Sequence, residues 1–227
     1  MIVIVNNSNR NREILKSLKK SKRMMGSSKK CTLKNNKKTN TIFTTDKLID
    51  YMEKTGIKYK NVVSTKQMKK ILADKDKITG IILGGSNLKY SNNLCACSIN
   101  NNIISLLEFD VPILGICFGF QTMAISHGGS VISMGKMVNS RKKVKLKKSK
   151  IFDGMKKEEK FKFMHSDFVN EVPKSFKIIA KTLDGMCQAI KHKEKEIYGV
   201  QFHPEISGKV GEDLLNNFLK ICKKSKV

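Results

Sequence analysis

The chain contains 227 residues, 40% of them hydrophobic, which is enough for one sizeable core and lies at the upper end of single-domain size. Its six cysteines occur without a secretory signal pattern or paired zinc-ligand spacing, and no apolar run is long enough to cross a bilayer. We therefore expect a cytoplasmic protein without disulfides, metal sites or membrane spans. The net charge of +26 comes from lysines spread along the chain, so nucleic acid is expected to contact the basic surface only non-specifically.

The first half of the chain alternates between apolar runs typical of strands and amphipathic segments typical of helices. The run "MIVIV" at residues 1–5 has the β-branched composition of a strand that is buried on both faces. A polar, basic and aperiodic segment at 20–40 is predicted to be a surface insertion or a disordered loop. The other predictions are helices at 9–20, 45–55, 65–73 and 98–108, and strands at 58–64 and in "ITGIILGGS", which runs into a Gly-Gly turn.

The second half begins with a strand at 111–116 and a helix at 118–127 that stops at Gly128-Gly129. Strands separated by helices imply an α/β fold with a mostly parallel central sheet flanked by helices. Short β-like runs after residue 130 imply a small additional β-rich part, and we interpret residues 1–227 as one domain. These runs are 143–147, 161–164, 176–181, 187–191 and 196–201, and a helix follows at 210–222.

The sequence "PILGICFGFQ" places Cys117 between a predicted strand and the helix that follows it. Gly115 and Gly119 lie two residues to either side, and without Cβ atoms they permit the sharp turn of a nucleophile elbow. Such a turn presents the thiol at the carboxyl edge of the sheet, beside a helix N-terminus whose dipole stabilises a thiolate. The amide of Phe118 is then placed to donate to an oxyanion. A buried, inert cysteine at a strand end is the structural alternative.

The sequence "YGVQFHPEIS" supplies the base that a cysteine nucleophile requires. A strand over its first residues delivers His203 and Glu205 beyond the carboxyl end. Because residues two apart on an extended segment point to the same side, Glu205 is expected beside His203, with Pro204 restricting the backbone between them. A surface histidine next to an unrelated glutamate is the alternative for this pair.

Together these segments resemble the class I, triad-type glutamine amidotransferases, and most of all the glutaminase unit of GMP synthetase in the form carried on a separate subunit. The resemblance rests on "GICFGFQ", on "FHPE" and on the order cysteine, histidine, glutamate. It implies a flavodoxin-like amidotransferase type-1 domain. It also implies that Cys117, His203 and Glu205 form the catalytic triad.

The same resemblance implies which residues bind glutamine. The segment "GIILGGSN" resembles the family's strand and Gly-Gly loop, with Leu83 and Ser86 where the family usually has serine and proline. The segment "FMHSDFV" resembles the one that contacts the α-amino and carboxylate groups of glutamine. The implied substrate-binding residues are Gly84, Gly85, Phe118, Gln121, Ser166 and Asp167.

The reaction implied by the resemblance is hydrolysis of L-glutamine to glutamate and ammonia through a cysteine thioester, with no cofactor or metal. Ammonia then passes to a separate ATP-dependent synthetase subunit, which uses ATP and Mg²⁺ and, in GMP synthetases, converts XMP to GMP. No Gly-x-x-x-x-Gly-Lys-Ser/Thr loop occurs in the sequence itself. Two alternatives stay open: a γ-glutamyl hydrolase or peptidase on the same fold, and a non-catalytic protein that binds RNA or a protein through its basic surface.

Overall fold

The computed structural model describes residues 1–5, 44–62, 65–86, 89–90 and 106–225. The predicted helix at 9–20, the basic insertion at 20–40 and most of the predicted helix at 98–108 lie outside the described residues. Within them the chain forms nine strands and four helices, with three short 3-10 turns between them.

The strands and helices of the described residues follow the predicted positions closely, except for two long strands. The strands are β1 (Ile2–Val5), β2 (Tyr59–Val62), β3 (Gly80–Leu83), β4 (Ile113–Ile116), β5 (Ser130–Leu146), β6 (Glu158–Glu171), β7 (Phe176–Thr182), β8 (Cys187–His192) and β9 (Ile197–Val200). The helices are α1 (Thr44–Thr55), α2 (Thr65–Ala73), α3 (Phe118–Ser126) and α4 (Lys209–Lys224). None of these helices combines the length and the apolar character needed to cross a membrane.

The described strands form one mixed sheet in the order β2-β1-β3-β4-β9-β8-β7-β5-β6. Pairing is parallel from β2 to β9 and antiparallel from β9 to β6. The α/β class is confirmed, but the prediction of a mostly parallel sheet is wrong. Helices stop separating the strands after α3, and strands joined by short connections pair in the antiparallel sense. The β-rich second half therefore continues the central sheet.

The parallel strands form the centre of the molecule, with helices on both faces. Strands β1, β3, β4 and β9 are buried at every residue. Side chains alternate between the two faces, so that Ile2 and Ile4 pack on the side of α1 and α4. Val3 and Val5 pack on the side of α2 and α3. This packing leaves the carboxyl ends of the parallel strands as the edge where a site can form.

Strands β5 and β6 are 17 and 14 residues long, far longer than the runs at 143–147 and 161–164 predicted within them. Most of β5 is exposed or half-buried, so its sequence shows alternation of apolar and polar residues only near Val144. A bulge between Ser133 and Val138, with Gly135 at a φ of 71°, interrupts the pairing of the two strands. Backbone pairing extends these strands well beyond the part that the hydrophobic pattern reveals.

Candidate active site

Cys117 occupies a strained turn between β4 and α3. Its backbone angles are φ 50° and ψ −101°, and in the described part of the chain no other non-glycine residue has a positive φ. Such a conformation is unfavourable for a residue with a side chain and persists only when its surroundings hold it. The Cys117 amide donates to Val200 O at 2.8 Å, which ties the turn to the end of β9. This is the geometry of a nucleophile elbow.

Two glycines make this turn possible because the backbone approaches itself very closely there. A Cβ atom on Gly119 would lie 2.2 Å from Leu83 O and would clash with this carbonyl oxygen of the neighbouring strand β3. A Cβ atom on Gly115 would lie 2.7 Å from the Gly119 carbonyl carbon. Any other residue at either position would push α3 away from the sheet, as the spacing of the glycines predicts.

His203 and Glu205 follow β9 and form a buried pair. His203 Nδ1 donates to Glu205 Oε1 at 2.8 Å, and the two side chains are 3% and 2% exposed. The predicted neighbourhood is correct, although the backbone between them belongs to the 3-10 turn Pro204–Ile206 and is not extended. The His203 amide donates to Lys162 O at 2.8 Å, which fixes the pair to β6. Because the carboxylate accepts from Nδ1, the opposite nitrogen, Nε2, is left to exchange a proton.

The ends of three parallel strands converge around the cysteine. A Cβ atom on Gly85, in the loop after β3, would lie 3.1 Å from His203 Cε1 and 3.9 Å from Cys117 Cβ. Cys117, His203 and the Gly-Gly loop therefore meet at one point. Within the described residues His203 Nε2 is buried without a hydrogen bond, which leaves this nitrogen available for proton transfer.

Charge around His203 favours its protonated form. Burial opposes protonation, but the carboxylate of Glu205 and the sulfur of Cys117 raise the pKa of His203 well above its ordinary value. A protonated imidazole in this position is able to donate a proton from Nε2.

The segment of β6 that resembles the glutamine-contacting part of the family lies against the cysteine. Cys117 Sγ is 3.8 Å from Met164 O, and Ser166 and Asp167, further along the same strand, are 7% and 2% exposed. His165 Nδ1 donates to Asp167 O at 2.8 Å. Burial lowers the pKa of His165 to about 4, although this hydrogen bond opposes the shift, so the ring is neutral at pH 7.

Phe118 and Gln121, both predicted to bind substrate, lie on the first turn of α3. The Phe118 amide belongs to the first turn of the helix, where amides have no partner within the helix. Its ring stacks on Tyr90, with the ring centroids 4.8 Å apart. Both hydrogens of the Gln121 amide group are used inside the protein, toward Asp167 O at 2.8 Å and Gln201 Oε1 at 3.2 Å.

Gln201 is a residue of the site that the sequence reasoning missed. It is fully buried, and its Nε2 lies 3.6 Å from Cys117 Sγ as a hydrogen-bond donor. One signal for it was available, because Gln201 is a polar residue inside the apolar run from Ile197 to Phe202. A buried polar side chain requires a hydrogen-bond partner, and Gln201 lies two residues before His203 of the predicted site.

Within the described residues, no group of three or more histidine, cysteine or acidic side chains is arranged to hold a metal ion. The polar groups that converge on Cys117 are instead an imidazole, a carboxylate, amide groups and backbone N–H donors. These are the components of covalent acyl transfer by a cysteine.

Proteins of similar sequence include glutamine-hydrolysing enzymes. A "GMP synthase [glutamine-hydrolyzing]" from Clostridium botulinum (strain Hall) is 40% identical over 145 residues, which are 63% of this chain and 28% of that protein. The chain thus spans little more than a quarter of the length of such relatives. A protein from Pyrococcus abyssi that is named as one subunit of a glutamine-hydrolysing GMP synthase is 38% identical over 170 residues, which are 74% of this chain and 87% of that one.

A crystal structure of a protein described as a candidate GMP synthase subunit from Thermoplasma acidophilum has the same fold. Its TM-score is 0.72, with 24% sequence identity and coverage of 99% of this chain and 94% of that chain. The family model "Glutamine amidotransferase class-I" matches residues 40–222, which include the cysteine turn and the histidine–glutamate pair. The chain therefore belongs to the class-I glutamine amidotransferase family.

Proposed function

We propose that this chain is a cysteine-dependent glutaminase that hydrolyses L-glutamine to glutamate and ammonia and delivers the ammonia to a separate synthetase. The single observation that carries the proposal is the convergence of Cys117, His203 and the Gly84-Gly85 loop at the carboxyl edge of the parallel strands. Residues 1–227 act as one amidotransferase domain in this proposal.

In the first half of the reaction the Cys117 thiolate attacks the side-chain amide carbon of glutamine and a carbon–sulfur bond forms. The amides of Gly85 and Phe118 donate to the oxyanion, whereas the Gly84 amide is already bonded to Val5 O at 3.0 Å. His203 Nε2 gives its proton to the departing nitrogen, the carbon–nitrogen bond breaks, and ammonia leaves a γ-glutamyl thioester.

In the second half water hydrolyses the thioester. His203 Nε2 removes a proton from water, hydroxide attacks the carbonyl carbon, and the carbon–sulfur bond breaks to release the thiolate and a γ-carboxylic acid, which gives its proton to solvent and leaves as glutamate. Glu205 holds the imidazole through Nδ1 and stabilises its charge at each protonation. Side chains, backbone amides and solvent water account for every bond and proton in this sequence, so glutamine hydrolysis needs no cofactor.

Binding of glutamine is assigned to the surrounding residues. Ser166 and Asp167 contact its α-amino and carboxylate groups, and Gln121 contributes through Oε1, because its amide hydrogens are already engaged. The shape of the pocket around the amino-acid end then decides which γ-glutamyl compounds enter.

The acceptor of the ammonia is proposed to be XMP on an ATP-dependent GMP synthase subunit. Two matched relatives carry the name GMP synthase, and the one of similar length is named as a separate subunit. These names favour ammonia transfer over the alternative of a γ-glutamyl hydrolase or peptidase. ATP and Mg²⁺ belong to the partner subunit in this arrangement.

The test compares the wild-type chain with Cys117→Ala, each assayed for glutamate release with and without a purified ATP-dependent GMP synthase subunit, XMP and ATP. We expect glutamine hydrolysis only with wild type, together with an acid-trapped glutamyl adduct on Cys117 in mass spectrometry. Hydrolysis by a folded Cys117→Ala variant would contradict the proposal. Turnover of γ-glutamyl peptides in preference to glutamine would favour the hydrolase alternative.

A further inference from the structure

A chain of hydrogen bonds connects the backbone of β6 to the sulfur of Cys117 through two buried glutamines. Gln121 Nε2 donates to Asp167 O at 2.8 Å and to Gln201 Oε1 at 3.2 Å. Gln201 Nε2 donates to Cys117 Sγ at 3.6 Å. Gln121 is 3% exposed and Gln201 is fully buried, so water does not compete for these bonds.

The backbone carbonyl at the start of this chain fixes the direction of every bond in it. Asp167 O is only an acceptor, so Gln121 must turn its NH₂ group toward it. The second hydrogen of that group then faces Gln201, which must accept the hydrogen bond through its side-chain oxygen, Oε1. The only orientation left for Gln201 places its NH₂ group against the cysteine sulfur.

A donor aimed at sulfur distinguishes between the two states of the cysteine. A thiolate accepts the N–H of Gln201, whereas a neutral thiol is a weak acceptor, so the bond favours the negative form. The same sulfur also faces His203 and, at 3.8 Å, the carbonyl oxygen of Met164. Hydrogen bonds to charged groups are stronger than neutral ones, and burial increases their effect.

We propose that Gln201 is a catalytic residue that donates a hydrogen bond to the Cys117 sulfur and keeps it in the reactive thiolate form. Gln121 is a positioning residue that acts through Gln201, in addition to any contact with substrate. This inference rests on the proposed cysteine-dependent hydrolysis of glutamine, to which it adds a residue.

The experiment measures alkylation of Cys117 by iodoacetamide against pH in the full chain, followed by peptide mass spectrometry. Gln201→Met preserves length and volume but cannot donate. We expect its rate at pH 7 to fall about 10-fold and the midpoint of its rate–pH curve to move about one pH unit higher, the effect of one hydrogen bond to a charged acceptor. Gln201→Glu sets a carboxylate against the sulfur and should move the midpoint further in the same direction.

Gln188→Met is the matched control. Gln188 lies on the neighbouring strand β8, is 3% exposed, and its Oε1 is buried without a hydrogen bond in the described residues. The substitution makes the same chemical change in an equally buried glutamine, so the alkylation curve should stay that of wild type. Gln121→Met should move the curve in the same direction as Gln201→Met, but the alkylation rate at pH 7 should fall only about 3-fold. Gln201 remains in this variant and loses only its fixed orientation.

A wild-type alkylation curve in folded Gln201→Met, or in Gln201→Glu should the first variant not fold, overturns the inference. An equal shift in Gln188→Met also overturns it, since the effect would then come from the loss of any buried amide. Alkylation requires no glutamine. A wild-type chain that fails to hydrolyse glutamine would therefore contradict the proposed function, while the curves would still decide the role of Gln201.

Discussion

In the parallel half of the sheet, strands β1, β3, β4 and β9 are buried throughout, whereas β5 in the antiparallel half is largely exposed. The parallel half delivers the side chains that would react, because Cys117 and His203 follow the adjacent strands β4 and β9. The antiparallel half contributes backbone carbonyls: Lys162 O accepts from the His203 amide, and Asp167 O anchors Gln121.

This difference assigns separate tasks to the two halves. Adjacent parallel strands end at the same edge, so two residues far apart in sequence meet there without any long loop. The carbonyls of an antiparallel strand are spaced regularly along its length, which suits them to hold side chains at fixed positions. If this division is correct, changes at the parallel edge should affect reactivity strongly and changes in the antiparallel half should affect it weakly.

The largest expected effect is the difference in thiol reactivity between Cys117, at the carboxyl edge of the parallel strands, and two buried cysteines that lie away from this edge. Burial raises the pKa of Cys187, on β8, and of Cys222, on α4, to about 12. Only about one in 10⁵ of such thiols is ionised at pH 7, and the thiolate is the form that reacts. We expect iodoacetamide to modify Cys117 about 10⁴-fold faster than either, measured by peptide mass spectrometry over time.

The control for the thiol comparison is the same reaction in concentrated urea, where all three cysteines should react at similar rates. Equal rates in the folded protein would show that the Gln201 and His203 contacts do not activate Cys117, and that the carboxyl edge of the parallel strands confers no special reactivity.

The second largest effect is expected from Glu205→Gln, which keeps the shape of the side chain but removes its charge. We expect kcat/KM for glutamine to fall about 10³-fold, less than the roughly 10⁴-fold loss at the orienting carboxylates of serine proteases, because a cysteine depends less on its base than a serine does. Glu205 raises the pKa of His203, so its loss lowers that pKa, and the imidazolium loses its proton at lower pH. The basic limb of the pH–rate profile should therefore move to lower pH.

Asp213→Asn is the control for this prediction, because Asp213 is an exposed carboxylate of α4 whose ion pair with Lys209 lies on the surface. It should leave both the rate and the basic limb unchanged. A Glu205→Gln variant with the wild-type profile would exclude the proposed role of the carboxylate.

The third effect is a difference in stability between replacing a tightly packed glycine, Gly119, and replacing a glycine in open space, Gly154. In Gly119→Ala the new Cβ would lie 2.2 Å from the Leu83 carbonyl oxygen, a backbone atom that cannot rotate away. We expect the free energy of unfolding to fall by more than about 3 kcal/mol in urea titrations. Gly154, between β5 and β6, has a φ of 71° and open space around it, so Gly154→Ala should cost only about 1 kcal/mol. Equal losses would mean that α3 is not held tightly against β3.

The sequence allowed good predictions wherever apolar runs or glycines set the structure. The turn at Cys117 is predictable because Gly115 and Gly119 are the only residues that fit there. The direction of the later strands is not, since pairing sense depends on connections and not on composition. The same is true of the length of β5, whose lysines carry little periodic signal.

The polar part of the site was only partly predictable for a related reason. Cysteine and histidine are residue types that indicate nucleophilic and acid–base chemistry, and the "FHPE" motif predicts that His203 and Glu205 form a pair. A glutamine has no such signature. The role of Gln201 depends on an orientation that Gln121 and Asp167 O impose from two other elements, and this appears only when the chain is folded.

The smallest effect tests the scaffold role of β6 through pH. Burial lowers the pKa of His165 to about 4, below its ordinary value of 6.5, so the unfolded chain binds more protons between these two pH values. The stability that the neutral ring contributes is present above pH 6.5 and is lost as the pH falls toward 4. The loss should be about 2 kcal/mol, since one pKa unit corresponds to about 1.4 kcal/mol and local relaxation reduces the full value. Urea titrations from pH 7 to pH 4 should show this fall in the free energy of unfolding in wild type and a smaller fall in His165→Gln.

His192→Gln is the control. It should reduce the fall in the free energy of unfolding less, because the His192 ring is only half-buried. An equal fall in wild type and in His165→Gln would show that β6 does not hold His165 neutral.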